Sequence, residues 1–157
     1  MRMTRGTDYG ILGILYLAMQ PGERVTLLRE VAQYQDVPES YLAKIFQDLT
    51  KGGLVRSHRG ARGGFSLARP AITINLRQVI EVLQGPISLN SCLDIREGCP
   101  RFARCAVGQV LGRAQNELLH TLEDTSLEDL ALQSATLERS TDSAVPGDGS
   151  GAHGDAF

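Results

Sequence analysis

Apolar residues recur at three- and four-residue intervals in five segments of this chain, and each repeat predicts an amphipathic helix. The first runs from Thr4 to Gln20. Tyr9, Leu12, Tyr16 and Met19 form its stripe, Ile11, Ile14, Leu15 and Ala18 widen it, and Pro21-Gly22 ends it. Thr26 is placed to cap a second helix through Gln35, with Leu28, Val31 and Ala32 inward. Asp36-Val37-Pro38 breaks the pattern. A third helix starts at Pro38 and runs to Lys51, burying Leu42, Ile45, Phe46 and Leu49, and Gly52-Gly53 stops it. Leu54-Val55-Arg56-Ser57 and Phe65-Ser66-Leu67 then read as short strands around a glycine-rich tip. Asn75 and Gln78 form a capping box for a helix to Gln84, lined by Leu76, Val79, Ile80 and Leu83. Residues 87–104 have no period. A long helix follows from Ala106 to Glu123, with Val107, Val110, Leu111, Ala114, Leu118 and Leu122 along one side.

Two helices joined by a short break and followed at once by a hairpin make a winged helix-turn-helix. The expected fold is therefore mainly α with a small β-hairpin, plus a long dimerisation helix. Its parts are a DNA-binding domain at 1–85, a cysteine loop at 86–105, and the dimerisation helix with a terminal turn at 106–133. A helix of about eighteen residues is long for one small domain, and pairing with a second copy as a homodimer covers its stripe. From Ser134 onward Gly, Ser, Asp and Ala dominate, so 134–157 is expected to be a disordered tail.

Charge sharpens this picture. The net charge of the 157 residues is −2, yet residues 40–70 carry Lys44, Lys51, Arg56, Arg59, Arg62 and Arg69 against Asp48 alone. A local positive field of this kind suits nucleic acid. Ser40, Tyr41 and Lys44 lie in the first half of the third helix and off its buried stripe, where base edges can be read. Arg59 and Arg62, with Gly63 and Gly64, form the tip and can meet phosphates or a minor groove. No glycine-rich nucleotide motif leading into a helix is present. No nucleophile–base pair emerges either, so an enzyme is not expected. The apolar run Ile11–Met19 is too short to span a bilayer. A cytoplasmic protein without a membrane partner is expected.

Three cysteines, Cys92, Cys99 and Cys105, lie in the loop at 86–105, which also holds Gly98 and Pro100. An odd count confined to one loop argues against a secreted disulfide scaffold. Cysteine thiolates are the usual ligands of iron–sulfur clusters and also hold zinc. The loop contains no histidine. Asp94 and Glu97 are nearby oxygen donors, and Asp8 is a more distant one.

The stretches Met1–Tyr9 (MRMTRGTDY), Val37–Ile45 (VPESYLAKI), Leu49–Leu67 (LTKGGLVRSHRGARGGFSL) and Ile72–Ile80 (ITINLRQVI), followed by the three cysteines, resemble the IscR/NsrR-like family of winged-helix transcription regulators. The resemblance covers residues 1–132. It implies a homodimer with crossing long helices, and double-stranded palindromic operator DNA read by recognition helices and wings. It also implies an iron–sulfur cluster on Cys92, Cys99 and Cys105 whose state sets DNA affinity. The IscR-like branch places a histidine where this chain has Gly108, and a glutamate and a glutamine where it has Ala43 and Lys44. The NsrR-like branch uses an aspartate at the position of Asp8, supplied by the partner subunit. The resemblance is thus closer to the NsrR-like branch. It implies a [4Fe–4S] rather than a [2Fe–2S] cluster, sensing nitric oxide, redox or iron–sulfur status. A cluster-free or zinc-bound regulator using its thiols is the alternative.

Overall fold

A computed structural model describes residues 2–22, 24–60, 63–93 and 99–142. Arg62, Asp94, Glu97 and the tail from residue 143 lie outside the described residues. Helices α1 (Arg5–Met19), α2 (Leu28–Gln35) and α3 (Glu39–Lys51) precede a hairpin of β1 (Val55–His58) and β2 (Gly64–Leu67). Helices α4 (Leu76–Gln84), α5 (Ala106–Asp124) and α6 (Leu127–Asp142) follow. The hairpin is antiparallel, with Arg56 opposite Ser66 and His58 opposite Gly64. This is the expected winged helix-turn-helix.

The core lies where α1, α3, α4 and the hairpin meet. Leu42, Phe46 and Leu49 of α3 are fully buried with Ile14, Val31, Ile74, Val79 and Leu127. The Phe65 ring stands edge-on to Phe46 with centroids 5.0 Å apart, which seats the hairpin on α3. The Asn75–Gln78 capping box forms as expected, with both reciprocal bonds present.

Three expectations need correction. The buried face of α1 is not the Tyr9–Leu12–Tyr16–Met19 stripe. It is Thr7, Gly10, Gly13, Ile14 and Leu17, while Leu12 is 48% exposed. Glycine carries no hydrophobic signal, but here it lets helices approach closely. A Cβ on Gly10 would collide with Leu83 Cδ1, and one on Gly13 would stand 2.8 Å from the Phe46 ring.

Thr26 does not cap α2, whose N-cap is Leu27 with no side-chain bond. Instead Thr26 pairs with Phe65 through reciprocal 2.8 Å backbone hydrogen bonds, adding a one-residue third strand to the wing.

The end of the chain also differs. Ser126–Leu132 is more than a turn, because α6 continues to Asp142 through the first residues of the expected tail. The box at its start explains the nucleation. Ser126 Oγ accepts from the Asp129 amide at 3.1 Å, and Asp129 Oδ2 accepts from the Ser126 amide at 3.0 Å. Helix α6 then packs along α1.

Candidate DNA-reading surface and cysteine cleft

With its apolar stripe in the core, α3 leaves Glu39, Ser40, Tyr41, Lys44 and Gln47 exposed on the opposite side. Ser40, Tyr41 and Lys44 thus form a polar and cationic surface on the first half of the helix, as the sequence suggested. Tyr41 is also braced from behind. Its ring meets Tyr9 of α1 edge-on at 5.9 Å.

The wing lies beside α3. Arg59 is exposed at its tip. Gly60 has φ of +103°, a conformation open mainly to glycine, and its carbonyl accepts from the Gly63 amide at 2.9 Å. Gly63 and Gly64 have structural reasons of their own. A Cβ on Gly63 would lie 2.8 Å from the His58 carbonyl oxygen, and one on Gly64 would collide with the Thr26 carbonyl. These glycines shape the tip that carries Arg59.

The cysteines occupy three different local settings. Cys92 sits in a short 3-10 helix, Ser91–Leu93, and Cys99 precedes another, Phe102–Arg104. Cys105 is the N-cap of α5, its Sγ accepting a hydrogen bond from the Gly108 amide at 3.3 Å. All three are free thiols and half-buried. Cys92 and Cys99 line one open cleft of about 910 Å³ along α5, with Leu93, Phe102, Val110 and Arg113. Among the described residues, no three His, Cys, Asp or Glu side chains come together as a ready metal site. Asp8 is exposed on the first turn of α1 and joins no such group among the described residues.

Gly108 now has a physical reason. It is the buried residue of α5, and a Cβ there would press on the Phe102 ring at 3.1 Å. Phe102 takes the space that a longer side chain would need, and the Gly108 amide serves the Cys105 sulfur. The hydrogen bond from Gly108 was not foreseen from the sequence. A cysteine just before a helix, three residues ahead of the donor, is the capping spacing that could have signalled it.

Residues 3–133 match the family described as Rrf2, iron-dependent transcriptional regulator. The chain belongs to the Rrf2 family. Among Rrf2-like solved structures, CymR (YrzC), the global cysteine regulator of B. subtilis, is 32% identical with a TM-score of 0.71, covering 85% of this chain and 98% of that one. T. potens IscR is 25% identical with a TM-score of 0.66, covering 93% of each chain. Protein aau3 of Rhizobium meliloti (strain 1021) is 34% identical over 131 residues, 83% of this chain and 84% of that protein. Among the described residues no helix is long and apolar enough to cross a membrane.

Proposed function

We propose that this Rrf2 chain acts as a homodimeric DNA-binding transcription regulator, with Cys92, Cys99 and Cys105 holding an iron–sulfur cluster that sets its operator affinity. The observation that carries the DNA half is the exposed Ser40–Tyr41–Lys44 face of α3 standing beside a wing tipped by Arg59. A palindromic duplex matches two such modules in a dimer.

The donor chemistry supports the cluster half. Two thiols line one cleft beside α5, the third caps that helix, and all three are unpaired. The Gly108 amide on Cys105 is the kind of sulfur hydrogen bond that tunes such a centre. Three thiolates and one oxygen suit a [4Fe–4S] group, with Asp8 of the partner subunit as the fourth ligand. When bound, the group would supply a centre sensitive to nitric oxide, oxidation and iron supply.

The protein side of the coupling has a physical path. Buried Thr7 of α1 donates its hydroxyl to Gln84 at 2.9 Å, at the end of α4 and just before the cysteine segment. Two residues along α1, Tyr9 braces Tyr41 of the recognition helix. Movement of the cysteine segment can thus reach α3 through α1.

A cluster-free thiol regulator is the second reading. It is favoured by the likeness to CymR, one of whose S. aureus structures is an oxidized form, 28% identical with a TM-score of 0.66. It is also favoured by the lack of an assembled three-ligand set among the described residues. Anaerobic purification with iron, sulfide and zinc quantification separates the readings. About four irons and four sulfides per chain support the cluster, as expected for a cubane. Zinc alone, or no metal with intact DNA binding, overturns it in favour of the second.

A further inference from the structure

We propose that the outer face of the wing carries a binding pocket for a phosphate group, separate from the α3 surface and from the cysteine cleft. It goes beyond the proposed function, because it concerns a second ligand site. Two arginines of the basic 40–70 stretch, Arg56 and Arg69, have no part in that function.

A concavity of about 450 Å³ lies between the hairpin, the end of α1 and the segment that follows β2. Arg24, Arg56, His58, Ser66 and Arg69 line it, and among the described residues no carboxylate does. Pairing of Arg56 with Ser66 in the hairpin puts both on the strand face turned away from Phe65 and the core.

Two of the arginines are held in place. Arg24 donates to Glu30 at 2.8 Å and to Gln20 at 3.0 Å, and Arg69 donates to Gln78 at 2.9 Å. The Arg56 side chain is exposed and makes no hydrogen bond or ion pair among the described residues. Ser66 is 7% exposed, and its hydroxyl meets His58 Nε2 at 2.8 Å, which orders the polar wall.

The nearby end of α1 would normally oppose an anion, since terminal carbonyls carry negative partial charge. Here the Leu17 carbonyl accepts from the Gln20 amide and the Tyr16 carbonyl from Gln20 Nε2, both at 3.2 Å, so each of those two carbonyls already has a donor. Leu17 and Pro70 add apolar surface, room for an organic group attached to the phosphate. A guanidinium fork matches phosphate oxygens in geometry as well as charge.

The phosphate can come from a small phosphorylated molecule or from DNA flanking the wing, and two measurements on the full chain distinguish them. Calorimetry with inorganic phosphate and pyrophosphate, without DNA, tests the first. Binding by the parent that weakens at least fivefold in Arg56→Gln, and is unchanged in Arg29→Gln outside the pocket, supports a small-molecule site. Duplex affinity against salt tests the second. A slope of log K on log salt that is shallower by about 0.9 in Arg56→Gln marks one lost DNA phosphate contact. If Arg56→Gln changes neither, or if Arg29→Gln weakens phosphate binding equally, the pocket is overturned. Failure of the parent to bind any duplex would sink the proposed function instead, leaving the phosphate titration to decide the pocket alone.

Discussion

At the scale of single residues, the glycines of α1 show how much a sequence pattern conceals. Hydrophobic periodicity placed α1 correctly and caught Ile14 and the flanking Tyr9, Ile11, Tyr16 and Ala18, but it missed the centre of the buried face, because Gly10 and Gly13 contribute absence rather than apolar area. A methyl at Gly10 must displace Leu83. Gly10→Ala should therefore lower unfolding free energy by about 1–3 kcal/mol, the usual range for overpacking. Urea titration measures it, and a stability equal to the parent would show that Leu83 can swing aside. Ser126 and Asp129 offer a second test. The Asp129 carboxyl is held below its ordinary range, first by the hydrogen bond from the Ser126 hydroxyl and then by that from its amide. A depressed folded-state value means the stabilisation is present above the unfolded value, about 3.9, and is lost as pH falls through the folded one. The stability gap between parent and Asp129→Asn should thus be open at pH 6 and close at lower pH. A gap that stays constant across that range would remove the carboxylate from the cap.

At the scale of elements, α3, α4 and the hairpin were legible because their signals are local. A breaker precedes α3, a capping box starts α4, and glycines turn the wing. Thr26 was not legible, since its partner Phe65 lies thirty-nine residues away and a one-residue strand has no period of its own. The far end of α6 was hidden for another reason. Residues 134–142 are mostly polar; α6 packs on α1, and Leu137, itself 69% exposed, lines a shallow groove with Leu12 and Tyr16 of α1. Truncation after Gln133 should therefore cost stability, whereas truncation after Asp142 should leave the melting temperature unchanged. Equal melting temperatures for the two would show that the last turns of α6 contribute nothing. The candidate site was legible as a set of residues and not as an arrangement. The sequence spacing of the cysteines does not show that Cys92 and Cys99 line a cleft while Cys105 caps α5.

Across α3 and the wing, the two basic groups should fail differently. Arg59 sits on an exposed tip and would meet phosphates in the proposed DNA complex, so Arg59→Ala should weaken binding to all duplexes and make the salt slope shallower by about 0.9. Lys44 lies on the proposed reading face, so Lys44→Ala should alter preference between a palindromic operator and its scrambled version. A mobility-shift series on both duplexes at several salt concentrations measures both effects. An Arg59→Ala slope equal to the parent's would take the wing out of the DNA contact.

At the scale of the whole molecule, α5 is the element that one chain leaves unfinished. Val107 and Val110 are 67% and 54% exposed, while Leu111, Leu118 and Leu122 are only half-covered. A nineteen-residue helix with such a stripe buries it against a second copy in the dimer proposed above. Val110 gives a cleaner test than Leu111, because Leu111 already packs partly within its own chain. A glutamate at the exposed Val110 position leaves the single chain comfortable but puts an unpaired charge into a dimer contact. Val110→Glu should therefore sediment as a folded monomer with unchanged helical circular dichroism, while the parent sediments as a dimer. Its affinity for a palindromic duplex should fall by more than tenfold, since each half-site then binds without the effective concentration of the other. Val110 also lines the cleft with Cys92 and Cys99, so the dimer contact and the thiols adjoin one another. The thiols of Val110→Glu should accordingly react faster with an alkylating reagent. A variant that stays dimeric would move the interface off α5, and unchanged thiol reactivity in a proven monomer would separate the interface from the cysteine site.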